Sequence, residues 1–375
     1  MLVILVSSLL LNLGLVAIRG VQTVRALPIV YSGDLILSGN NVTTIEGQFN
    51  IDGSIIVTEN ATLILKDATV NFTQTANYQR NITLQDPLNG KPRLQAMNTT
   101  LTSNYAYSVN LGEGSSTTIT HGNFTGYDGG YGWLWADDAA TFDEFTIQGF
   151  SLSGDSANVS INNSSIDSLN LYSGNATVIN SHVSSSNSYG NGNFSLEHST
   201  LSTAWVDSGS KQHISDSTIS LAQLYGTGSL TLVNSTCTNF EIHAQSKALI
   251  YWYLNVHVTD SNHQNVPNAN VTATYPNATL AESKTTDTNG HTRLTLMNKI
   301  MNVTGNYTIG NYTIEATYQI HSNTTFVDMT GNQQLNLTLE FVVPEFPTFA
   351  IPLLFMTAAL VAIAIRRKKT MTKQI

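Results

Sequence analysis

Two acidic pairs, Asp137-Asp138 and Asp143-Glu144, are the first candidates for chemistry. Glycoside hydrolysis needs two carboxyl groups about 5–9.5 Å apart, one to give a proton and one to attack or to activate water. A site for an acidic sugar also needs fixed cations, and no Arg-x-Lys occurs between residues 31 and 343. The pairs are therefore read as acids of a solvated loop. Just upstream, Tyr127-Asp128-Gly129-Gly130-Tyr131-Gly132-Trp133-Leu134-Trp135 is the densest aromatic segment. Aromatic faces stack on sugar rings, so Tyr127, Tyr131, Trp133 and Trp135 are the candidate ligand contacts, with coil capping as the competing role. No catalytic residue, cofactor or metal ligand is assigned. The nine histidines show neither an i/i+4 pair nor a zinc spacing. Asp128 and Asp155 lie near or beside glycines but lack the repeated acidic spacing of a calcium loop.

Residues 31–343 carry 24 acids and 9 bases, a net charge of −15 against −9 for the whole chain. Nucleic acid needs a basic footprint and is excluded as a partner. A single cysteine, Cys237, forbids an internal disulfide, so stability must come from a long continuous core. Its place in the repeat below faces inward, as a small buried hydrophobe. Asn-x-Ser/Thr sequons recur from Asn41 to Asn336 at about twice the density composition alone would give. Asn60, Asn71, Asn175, Asn234, Asn270 and Asn306 are among the candidate glycosylation sites. The plainer reading is that Asn and Thr suit the turns and ladders of this fold.

A period near 18 sets the architecture. Asn163-Ser164-Ser165-Ile166, Asn180-Ser181-His182-Val183, His198-Ser199-Thr200-Leu201, Asp216-Ser217-Thr218-Ile219 and Asn234-Ser235-Thr236-Cys237 align at spacings of 17, 18, 18 and 18. Alternating apolar pairs flank them, such as Val159/Ile161 before and Leu169/Leu171 after. Two copies break the pattern: Asp216 is preceded by Ile214 alone, and Asn180 is followed by Ser186 and Ser188. Fainter copies run through Leu63/Leu65 to Asp67, Ile119 to His121, and Phe145/Ile147 to Gly149. Val70 to Phe124 spans 54 residues, or three periods. Each unit reads as two alternating strands joined by a polar corner, too short to bury its own apolar face except by stacking. A parallel β-helix over 33–247 fits, with the Asn/His/Asp corners hydrogen-bonded as a ladder. A left-handed helix of three hexapeptides per coil and a β-sandwich remain open.

On these residues the chain resembles right-handed parallel β-helix proteins of the pectate-lyase-like class. The Asn60-Ala61-Thr62-Leu63-Ile64-Leu65-Lys66-Asp67-Ala68-Thr69-Val70 stretch is similar to their archaeal surface relatives. The likeness is of pattern, not catalytic motif. His121-Gly122 resembles the His-Gly element of polygalacturonase-like enzymes but precedes the acidic pairs. Beyond Ala248 the period stops. Strands at Tyr251–Val258, Thr292–Leu296, Tyr312–Tyr318 and Leu335–Phe341, with a turn at Thr286–Gly290, resemble an Ig-like or carboxypeptidase-regulatory-like module over 248–342. The resemblance implies a stalk.

Both ends are apolar. Residues 1–26 read as a signal peptide with a small-residue site at Val24-Arg25-Ala26, or as a retained N-terminal helix. Residues 349–365 are uncharged and would make about 26 Å of helix against a ~30 Å hydrocarbon core. The basic tail 366–375 follows and is expected in the cytoplasm. The linker 343–348 contains Pro344-Glu345-Phe346. Motif, hydrophobic span and basic end together resemble the PEF-type sorting signal of archaeal surface proteins. That resemblance implies cleavage near the motif by an archaeosortase and transfer to a lipid; otherwise the span is a permanent anchor. The expected whole is an all-β, exported protein: parallel β-helix, Ig-like sandwich, C-terminal transmembrane helix. Its expected role is non-catalytic: a glycosylated, membrane-anchored cell-surface or envelope protein, structural or adhesive, with envelope glycans or neighbouring surface proteins as partners. The alternative is a membrane-tethered polysaccharide lyase or glycoside hydrolase.

Overall fold

The computed structural model describes residues 22–24, 29–85, 90–126, 132–155, 157–342 and 355–363. Strands dominate, and they wind into a β-solenoid of about 11 turns. Neighbouring coils are joined in parallel, with register shifts after Glu46 and after Ile147 and a constant register from Asn158 onward. Asn158–Asn162 pairs with Asn175–Ile179, that strand with Asn193–Glu197, then Lys211–Ser215, then Ser229–Val233. The second strand of each coil does the same from Ser165–Leu171 through Thr236–Ile242.

Period-2 alternation fills the lumen with columns of mostly apolar side chains. Ile161, Val178, Leu196, Ile214 and Leu232 form one buried column, and Ile166, Val183, Leu201 and Ile219 another. The two exceptions in the repeat face each other inside. Ser186, Ser188 and Gln212 are all about 1% exposed, and Gln212 fills the lumen place missing beside Ile214. Ser186 Oγ donates to Gln212 Oε1 at 3.2 Å, and Gln212 Nε2 donates to Ser188 Oγ at 3.0 Å. The polar intrusions are thus mutually satisfied, which spares the cost of burying them unpaired.

Each corner residue sits in the left-handed region. Asn163, Asn180, His198, Asp216 and Asn234 have φ between 46° and 50°, and Asp67, Asn98, His121 and Glu144 join them upstream. Asn and Asp tolerate this region better than other non-glycine residues, which explains the composition of the corner. The side chains of the corner make only a broken ladder: Asn98 Nδ2 donates to Asp67 Oδ1 at 2.8 Å, and Asn234 Nδ2 to Asp216 Oδ1 at 2.5 Å. The continuous ladder is one residue later. Ser164 N–H donates to Ser181 Oγ at 3.0 Å, Ser181 N–H to Ser199 Oγ at 2.9 Å, Ser199 N–H to Ser217 Oγ at 2.9 Å and Ser217 N–H to Ser235 Oγ at 3.1 Å. Each of these serines is at least nine-tenths buried.

Upstream the register differs from the sequence expectation. The corner before Asn163 is Glu144, not Gly149, and Phe145 takes the column of the serines, its N–H donating to Ser164 Oγ at 3.0 Å. Val70 pairs with Leu101 and Leu101 with Phe124, so the 54 residues span two coils, not three. Most of the excess falls between Val70 and Leu101, where the segment between Phe72 and Asn81 leaves the strands and returns.

The chain divides into two compact units. The first comprises 1–253 with 295–310 and 329–332; the second comprises 254–294, 311–328 and 333–375. In the first unit the hairpin pairing Lys299–Asn302 with Gly305–Thr308 brings Met301 against the solenoid core. The second unit has a four-stranded antiparallel sheet in the order Leu280–Thr285, Asn270–Thr274, Asn311–Tyr318, His321–Asp328. It also pairs Leu254–Thr259 in parallel with Gln333–Thr338. Val256, Val258, Val271, Ile314 and Leu337 are among its buried side chains. Gly290 has φ 73°, and a Cβ there would lie 2.6 Å from the Val258 carbonyl oxygen. Pro344, Glu345 and Phe346 fall outside the described residues. Residues 355–363 are helical, and no helix among the described residues is long and apolar enough to cross a membrane.

Candidate functional site

Strand Gly132–Ala136 carries the two tryptophans of the aromatic segment on its outward face, because Leu134 and Ala136 take the alternate, buried positions. Tyr127 and Tyr131 lie outside the described residues. Trp133 is 39% exposed, and its indole N–H donates to the Tyr78 hydroxyl at 3.2 Å. Tyr78 comes from the excursion after Phe72, 55 residues away in sequence.

Trp135 has a different setting. Its ring stacks on Tyr172 at 5.7 Å, and Tyr172 stacks on Tyr189 at 5.4 Å. Further along the solenoid Trp205 stacks on Tyr225 at 4.5 Å, and Tyr225 on the His243 ring at 4.7 Å. The sequence reading missed these stacks. Their signal was present, since Tyr172, Tyr189, Tyr225 and His243 each directly follow the second inward pair of their unit. Ring faces stacked on each other are not free for a sugar, so these two stacks act as packing ladders; Trp133 belongs to neither.

Acids border the rings. Trp135 Nε1 donates to Asp137 Oδ1 at 2.5 Å, and Ser173 Oγ donates to Asp155 at 2.6 Å. Burial pushes the Asp137 carboxyl up; the Trp135 bond opposes this, and the charges of Asp155 and Glu113 add to it. Burial, then Tyr172 and Asp207, raise the Tyr189 hydroxyl. The remaining acids of the two pairs have partners: Asp138 accepts from the Gly114 and Ala139 N–H groups, Asp143 from Asn163 Nδ2, and Glu144 pairs with His121 at 2.6 Å. Gly122 has a packing reason, because a Cβ there would meet Ile119 at 2.6 Å and Phe145 at 2.8 Å.

A shallow groove of about 510 Å³ runs over the outward face of the first strands, lined by Asn175, Thr177, Asn193, Ser195, Lys211 and His213 among others. The sequon asparagines here are ladder members: Asn175 Nδ2 donates to Asn158 at 2.9 Å and Asn193 Nδ2 to Asn175 at 3.2 Å. Asn71 Nδ2 donates to Asn50, and Asn234 Nδ2 to Asp216. Asn60, Asn270 and Asn306 are exposed, and Asn270 Nδ2 donates to the hydroxyl of its own sequon Thr272 at 3.1 Å. Cys237 is half-buried against the core, and burial pushes its thiol up to about 11.

No protein-family profile matches the chain. No curated protein matches it. Among solved structures, the Bacillus anthracis TIE protein shows a local likeness at 14% identity and a TM-score of 0.19. The match covers 28% of this chain and 18% of that one, too little to bear on fold or function.

Proposed function

We propose that the chain is a non-catalytic, glycosylated cell-surface protein whose solenoid is a right-handed parallel β-helix bearing an adhesive, glycan-binding contact at Trp133. The observation that supports this reading is the exposed indole of Trp133 on a regular strand, its N–H held by Tyr78. A ring fixed this way loses little freedom when a sugar stacks on it. The second unit is the Ig-like stalk, and the C-terminal segment is either a permanent membrane anchor or an archaeosortase-processed one. Exposed Asn60 and Asn306 are the sequons favoured for glycans. At Asn71, Asn175, Asn234 and Asn270 a glycan would compete with a bond the side-chain amide already makes. Against a polysaccharide-cleaving role stands the engagement of each acid of the two pairs in a local bond.

The test is a glycan array probed with wild type and Trp133→Ala. Loss of one aromatic platform of ~1–3 kcal/mol should weaken binding about 5- to 150-fold, with the melting temperature nearly unchanged. Trp135→Ala should instead lower stability, because its ring is stacked and its N–H engaged. Unchanged binding by Trp133→Ala, or a large fall in its melting temperature, would assign that indole to packing.

A further inference from the structure

Three polar groups converge on the corner edge of the solenoid at Glu197, His198 and Asp216. One ligand atom from each lies within 4.8 Å of the other two. We propose that they form a binding site for a zinc-like divalent cation that clamps adjacent coils together.

The backbone sets the arrangement. His198 and Asp216 occupy the same corner on successive coils, both in the left-handed region, so their side chains leave the solenoid side by side. Glu197 precedes His198 at the end of strand Asn193–Glu197. His198 Nδ1 lies 3.4 Å from Glu197 Oε1. That is long for a charge-assisted hydrogen bond, but it equals the roughly 3.3–3.5 Å that separates two ligands at ~2.0–2.1 Å on a tetrahedral zinc. Asp216 lies within 4.8 Å of both, so it needs to close by at most about 1.4 Å, within the reach of a side-chain rotation.

A contrast upstream shows that this geometry is not the default for a histidine corner. His121 meets Glu144 of the next coil at 2.6 Å, a closed pair. At His198 the next corner is also an acid, yet that acid is held elsewhere. Asp216 Oδ1 accepts from Asn234 Nδ2, and Oδ2 accepts from the Tyr253 hydroxyl at 3.0 Å. Outer donors of this type orient a ligating carboxylate while leaving it lone pairs for a metal.

The donor set selects the ion. One imidazole nitrogen and two carboxylates suit zinc and its neighbours, with water completing the tetrahedron. Calcium wants six to eight oxygens and gains nothing from imidazole.

The test is calorimetric titration of full-length protein with Zn²⁺, alongside Co²⁺ titration read by its visible ligand-field bands. His198→Asn removes the imidazole but installs the residue that Asn163, Asn180 and Asn234 use at the same corner, so the backbone is not strained. One Zn²⁺ should bind, Co²⁺ should show tetrahedral bands, and His198→Asn should weaken binding by ~10-fold or more. Asp216→Asn should do the same, while His121→Asn should leave affinity unchanged. Equal affinity in wild type and His198→Asn, or no stoichiometric binding, would overturn the site. Circular dichroism on each variant separates a lost ligand from a lost fold.

Discussion

The hydroxyl of Ser181 shows how much one atom carries in this fold. It accepts the Ser164 N–H of the previous coil and donates to the Ile179 carbonyl at 2.7 Å. Ser181→Ala would leave the Ser164 N–H buried and unpaired, since that carbonyl keeps the Asn163 N–H but nothing replaces the lost acceptor. A loss of ~1–3 kcal/mol is expected in chemical denaturation. A loss below about 0.5 kcal/mol would show that water or a shifted backbone fills the gap. Asp137 gives a prediction with a pH signature. Its carboxyl is raised in the folded state, so its contribution favours folding below the ordinary carboxylate range and is lost as pH rises through the raised value. Asp137→Asn keeps an acceptor for Trp135 and should stabilise at neutral pH, by less than about 1 kcal/mol because the group is partly solvated. The gain should vanish in acid; a gain that persists there would point to packing instead. Cys237, with its thiol near 11, should resist alkylation at neutral pH.

At the scale of the elements, the repeat from Asn163 to Asn234 was legible because two independent signals coincide there. Apolar alternation marks the strands, and Asn, Asp or His marks the left-handed corner. The serine rung was visible as an invariant second position in five units, but serine is common throughout the chain, and nothing in its type reveals that it is buried. Upstream, the corner spacing stretches to 31 residues between Asp67 and Asn98 and to 23 between Asn98 and His121, so a fixed period misplaces Gly149 and miscounts the coils. The two exceptions in the repeat carried the most hidden information, since neither Ser188 nor Gln212 makes sense alone. Their partnership predicts coupling. Gln212→Leu and Ser188→Val should each destabilise. The double variant should be less damaging than the sum, with an interaction energy of ~0.5–3 kcal/mol in a double-mutant cycle. Strict additivity would mean that the lumen bond is not made.

At the scale of the whole molecule, the all-β class and the solenoid followed from periodicity, which is a property of many residues and survives local error. The candidate site did not: two of its four aromatic residues lie outside the described chain, Trp135 belongs to a packing column, and Tyr78 came from a distant excursion no spacing rule connects to it. The terminal segments are a matter of composition, and intact-mass analysis of protein from its native cell tests them. On the processed-anchor reading, mature molecules should end near Pro344-Glu345-Phe346 with a lipid attached. Recovery of peptides spanning Thr348 to Arg366 in most molecules would favour a permanent anchor.

From Asn163 to Asn234 each coil presents the next with the same corner, the same hydroxyl and the same register, so a coil's neighbours do not depend on which coil it is. For the gene, this makes the unit a heritable module. Duplication or loss of one unit's codons would leave both new junctions correctly bonded, and lineages could vary in copy number without passing through a misfolded intermediate. Two places resist this. Gly122 and Phe145 are matched to each other, as are Ser186, Ser188 and Gln212, and a recombination point falling between such partners would separate a lock from its key.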